Sequence, residues 1–168
     1  MGAGQLHIFT VPKQPAIQHF GLITSSVFLQ NNKDLLEIRK EASLIWQKSD
    51  LDLMELKHYL DRLFVNSQKD EYGNSYQWKI SNGWLNHEDR IDHDASLSYD
   101  ENGKIEELLI RPYAANKIGV DFIKKVVAFC QKYDLLLLRL DGLIFEPTTD
   151  GMNDFLNFFL YKNLEIKL

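Results

Sequence analysis

The segment NHEDRIDHD at 86–94 places His87, Glu88, Asp89, Asp92, His93 and Asp94 within nine residues, and it is the one cluster of ligand-type side chains in the sequence. Imidazole and carboxylate suit zinc, manganese or iron. The spacing works against a metal centre, however. His87 and His93 are six residues apart, which on a helix sets them on different faces, and neither an H-E-x-x-H pattern nor a separated third ligand accompanies them. A solvated acidic loop is the preferred reading, with no metal and no cofactor expected. Trp84 follows Ser81-Asn82-Gly83 beside this cluster. An exposed tryptophan there would anchor a protein interface, while its simpler reading is a loop residue folded back on the core. Trp84, His87, Glu88, Asp89, Asp92, His93 and Asp94 are therefore the candidate partner-binding surface, and no catalytic residue is assigned.

Other chemistry has less behind it. His7, His19 and His58 are scattered, and Ser25-Ser26 falls in a strand-like stretch with no base nearby. No nucleophile elbow, dinucleotide fingerprint or P-loop is present. Cys130, the sole cysteine, has Val126, Val127 and Phe129 around it, so it reads as a small buried hydrophobe and permits no intramolecular disulfide.

With 168 residues, 45% hydrophobic and 26% charged, the chain has enough apolar surface for one folded domain, 1–168. Its 24 acidic and 19 basic residues give a net charge of -5, which argues against nucleic acid as a partner and suits a basic one. The N-terminus resembles neither a secretion signal nor a myristoylation site, and no apolar run approaches the roughly 20 residues that span a membrane. A reduced cytoplasmic setting, away from membranes, is expected.

The elements that would position these residues follow from hydrophobic period. Strands are expected at 6–11 and 21–29, with Pro12 and Pro15 punctuating the stretch between them. A helix capped near Asn31 or Asn32 carries Leu35, Ile38, Ala42 and Ile45. After a break at Ser49-Asp50, a second carries Leu53, Leu56, Leu60, Leu63 and Phe64. Their tight connection predicts a helical hairpin laid against a sheet. Alternation through Tyr76, Trp78 and Ile80 predicts a strand, Trp46 and Trp78 read as core, and Asn102-Gly103 joins strands at 95–100 and 104–111. A helix over about 119–133 precedes a hairpin made from LLLLRL and LIFEP around Asp141-Gly142. Thr148, Thr149 or Asp150 caps a last helix with Phe155, Leu156, Phe159 and Leu160, and 164–168 could add a strand. The architecture expected is α+β: an antiparallel-rich sheet flanked by about four helices.

Three family resemblances bear on function. His93-Asp94 resembles the dyad of the HD phosphohydrolases, which implies a metal-dependent hydrolase using the 87–94 cluster. Residues 104–140 resemble the central part of the GNAT acyltransferases, where the loop before the helix holds a pyrophosphate through its amides; Gly119 fits that loop's pattern and Lys117 does not. In length, mild acidity and lack of a catalytic set, the whole chain is similar to the small α+β immunity proteins of bacterial polymorphic-toxin and contact-dependent inhibition systems. That last resemblance implies a non-enzymatic protein that neutralises a cognate protein toxin by direct binding, and it is the leading expectation. Oligomeric state is not legible.

Overall fold

The continuous and the alternating apolar runs of the sequence occupy different parts of one seven-stranded antiparallel sheet. The computed structural model describes residues 5–21, 34–83 and 86–156. In chain order these form β1 (Ile8–Pro12), α1 (Lys13–Phe20), α2 (Leu35–Trp46), α3 (Leu53–Leu63), β2 (Gln68–Glu71), β3 (Ser75–Ser81) and β4 (Asp92–Tyr99). They continue with β5 (Ile105–Arg111), α4 (Lys117–Lys132), β6 (Leu135–Leu138), β7 (Ile144–Phe145) and α5 (Thr149–Leu156). The strand order is β2-β3-β4-β5-β1-β6-β7. This is the α+β class expected, with five helices rather than four among the described residues.

The additional helix is α1. Pro12 and Pro15 lie at its cap and in its first turn, where a missing N–H costs nothing, so they open a helix instead of breaking one. Gly21, at φ 78°, ends it. The rest of the strand expected at 21–29 lies outside the described residues, as do Asn31, Asn32, Phe159, Leu160 and the tail strand 164–168. The cap of α2 is Asp34: its carboxylate accepts from the Glu37 amide at 2.9 Å while Glu37 accepts from the Asp34 amide at 3.1 Å. This reciprocal capping box satisfies two amides at once.

Contrary to the hairpin expected from their short connection, α2 and α3 straddle the sheet. Ile38, Ala42 and Ile45 of α2 join Ala16 of α1 over Phe9, Val11, Leu109, Leu136 and Leu138. Leu56 and Leu60 of α3 join α4 and α5 on the opposite face, with Ile8, Trp78, Leu97, Ile110 and Leu137. Trp46 ends α2 in this second core and donates from Nε1 to the Thr10 carbonyl at 2.8 Å. Alternate residues of β6 therefore enter different cores, which is why LLLL is continuous: a strand covered on both faces has no solvent side. The expected core roles of Trp46 and Trp78 and of the Cys130 face are borne out. Burial pushes the Cys130 thiol up to about 12.

The hairpin at 100–103 forms as its residues predict, with Gly103 at φ 76° and the Asp100 carboxylate accepting from the Asn102 and Lys104 amides. One polar knot fastens α3 to the sheet. Asp61 accepts from Trp78 Nε1 at 2.9 Å and pairs with Lys69 at 2.9 Å and Lys57 at 3.1 Å. Burial opposes its ionisation, but the hydrogen bonds from Trp78, Lys69 and Lys57 outweigh that and hold its carboxyl at about 2.

Candidate functional site

Strand pleat divides the ligand-type cluster. Neighbouring residues of β4 point to opposite faces, so His93 enters the α3–α4 side with Ala95 and Leu97, while Asp92 and Asp94 face the other way. His93 and Asp94 therefore cannot ligate one ion, and the phosphohydrolase-type dyad is not assembled. Among the described residues, no three His, Cys, Asp or Glu side chains converge as a metal site.

His93 is 3% exposed. Its ring stacks on Phe122 with centroids 4.2 Å apart, and Nδ1 accepts the Tyr113 amide at 3.0 Å. An Nδ1 that accepts is unprotonated, so the ring proton sits on Nε2. Burial pushes the imidazole down to about 4; Lys125 adds to that effect and Asp92 opposes it. Both aspartates are spoken for. Asp92 takes Arg90 at 2.9 Å, and Asp94 takes Arg111 together with the Gln5 amide at 3.3 Å.

The 86–91 turn is built by three asparagines. Asn82 donates to the Asp89 carbonyl at 2.7 Å and accepts from the Ile91 amide at 2.8 Å, and Asn86 accepts from the Asp89 amide at 3.0 Å. Asn116 caps α4 through Gly119 N at 2.8 Å, and its own amide group donates to the carbonyls of His87 and Arg90 at 3.0 and 2.8 Å. The Tyr113 hydroxyl meets His87 Nδ1 at 2.5 Å, and the Arg90 guanidinium lies 4.8 Å over the Tyr113 ring. His87, Glu88 and Asp89 remain exposed, and among the described residues no ion pair engages either carboxylate. Trp84 lies outside the described residues.

The loop before α4 is arranged differently from a pyrophosphate cradle. Its first-turn amide is taken by Asn116, whose side chain also draws the 86–91 turn across this end of the helix. Gly119 serves contact with its own chain: a Cβ there would lie 1.7 Å from the Tyr113 carbonyl oxygen. Moreover, β5 and β6 both run antiparallel to β1, which lies between them.

The structure thus keeps His87, Glu88 and Asp89 together on one turn, turns Asp92 and Asp94 to a second face, and buries His93. Sequence reasoning missed Asn82, Asn116 and Tyr113. Asn116 carried a readable signal, being an asparagine just before an apolar helical period; Asn82 and Tyr113 carried none. No known protein family, curated protein or solved structure matches the chain.

Proposed function

We propose that this chain is a binding protein that neutralises a basic protein partner, in the manner of the toxin-blocking immunity proteins, with the 86–91 turn as its contact surface. The observation that carries this reading is a turn held by side-chain bonds from Asn82, Asn86 and Asn116 that leaves Glu88 and Asp89 exposed, with no ion pair among the described residues. Order already present in the free protein need not be created on binding, so less of the contact energy is lost to entropy. A net charge of -5 would speed the approach of a cationic cleft, and the two carboxylates would meet it first.

The test is titration against the protein encoded immediately upstream of this chain's gene. A tight complex that blocks that protein's activity is expected. Reversing Glu88 and Asp89 to lysine should slow association about tenfold at low salt and leave folding stability within about 0.5 kcal/mol. Absence of a complex overturns the reading, and unchanged association kinetics remove the turn from it.

A further inference from the structure

On the α3–α4 side, a groove of about 520 Å³ opens between the end of α3, the β3–β4 strands and the start of α4. Its walls are apolar: Leu63, Val65, Ile80, Ile91, Ile118 and Phe122. Val65 is 61% exposed and Ile118 38%, two of the few large hydrophobics the described fold leaves in water. Polar residues border this lining in a particular way. Arg62 and Lys125 supply two cations, and Asp121 supplies one carboxylate that leans toward Lys124 at 3.9 Å. The Arg62 guanidinium rests over the Tyr59 ring at 5.3 Å, and no salt bridge engages Lys125 among the described residues. His93 belongs to the same lining. Its Nδ1 is used by the Tyr113 amide and its ring face by Phe122, yet Nε2–H has no partner among the described residues.

An apolar cleft of this size with a few convergent polar groups is the usual form of a small-molecule site. We propose that the groove binds a small apolar carboxylic acid, its chain against Ile80, Ile118 and Phe122 and its carboxylate between Lys125, Arg62 and the His93 Nε2–H. Each requirement rests on a separate feature. The walls need an apolar body, the excess of cations over Asp121 favours a negative head, and the imidazole N–H, without a partner among the described residues, offers a donor. The volume suits one short chain, which favours a small acid over a peptide segment. The groove adjoins the 86–91 turn through Ile91 but uses neither Glu88 nor Asp89, so the two readings can fail independently.

The experiment uses the full chain and the series hexanoate, octanoate and decanoate, followed by calorimetry and by NMR of the histidine ring nitrogens. Octanoate is expected to bind with a dissociation constant below about 1 mM and to shift the His93 ring signals saturably. Affinity should rise about fourfold with each added methylene. Lys125→Ala should weaken it about threefold. His93→Asn, which keeps an acceptor for the Tyr113 amide but lacks Nε2–H, should weaken it about tenfold. Should His93→Asn fail to fold, Ile118→Asp on the exposed wall carries the same test and should abolish binding. Octanol binding as tightly as octanoate, saturation without a shift at His93, or no binding at all overturns the proposal. So does preference for a leucine-rich peptide acid over octanoate. Reversal of Glu88 and Asp89 should leave octanoate affinity unchanged; a parallel loss would put the ligand on the turn and overturn the groove.

Discussion

The two halves of the sheet are built to different specifications. Strands β5, β1 and β6 are packed on both faces, by α1 and α2 on one side and α3, α4 and α5 on the other. Strands β3 and β4 have an apolar face only toward α3 and α4, and the edge strand β2, QKDE, is exposed throughout; the other face of β3 and β4 carries Ser75, Gln77, Lys79, Asp94, Ser96 and Ser98 along a polar trough of about 720 Å³. The boundary is marked by Arg39, which reaches from α2 to Glu107 of β5 through two bonds of 2.7 and 2.8 Å. Stability is therefore concentrated in the doubly covered half. The singly covered half carries the turn and the groove, where side chains are still available to other molecules.

Paired substitutions on one face give the strongest test of this contrast. Leu136 and Gln77 belong to the same face of the sheet, in different halves. Leu136→Ala should cost about 3 kcal/mol through lost burial and a residual cavity, whereas Gln77→Ala should stay within about 0.5 kcal/mol. Urea denaturation of both decides it, and comparable losses would break the contrast.

His93 lies near the junction and should give the singly covered half a pH dependence. Its folded pKa of about 4 is below the ordinary value of 6.5. The unfolded chain therefore binds the extra proton first as acid is added. The stabilisation is fully present above 6.5 and is lost as the pH falls from there toward 4, amounting to about 3 kcal/mol. Asp61, held at about 2, loses its contribution only below the usual carboxylate range, outside this window. Denaturation at pH 7 and pH 4.5 should show the loss in the native chain and a flatter response in His93→Asn. Equal slopes would remove His93 as its source.

The smallest effect is expected at the boundary itself. Arg39 has 47% of its side chain exposed, so salt screens its pair with Glu107. Arg39→Ala should cost less than about 1 kcal/mol, with the difference shrinking in high salt.

Element type was readable wherever local chemistry decided it. The Asn102-Gly103 hairpin, the stripe of α4 and the LLLL strand follow from turn residues and hydrophobic period alone. Placement of α2 and α3 on opposite faces was not readable, because a short connection is compatible with either arrangement and only the partner strands distinguish them. The same limit governed the 86–94 cluster. Its composition stands out in the sequence, but where the strand begins decides which side chains meet, and β4 starts at Asp92, inside the cluster. Asn82 escaped notice because its bonds to residues 89 and 91 belong to a turn that exists only once β3 and β4 pair.

One feature of the topology reaches into how the protein is made. Strand β1 lies inside the sheet, yet its neighbours come late: Ile8 pairs with Ile110 and Pro12 with Leu135, and Thr10 bonds to Leu108 across 98 residues. A ribosome synthesising this chain releases β1 long before β5 and β6 exist, and closing such distant pairs is intrinsically slow. The β2–β3–β4–β5 meander can form meanwhile from neighbouring segments, with one edge waiting for β1. During that interval the nascent chain exposes both an apolar strand and an unfilled sheet edge, the state open to chaperone capture or misassociation.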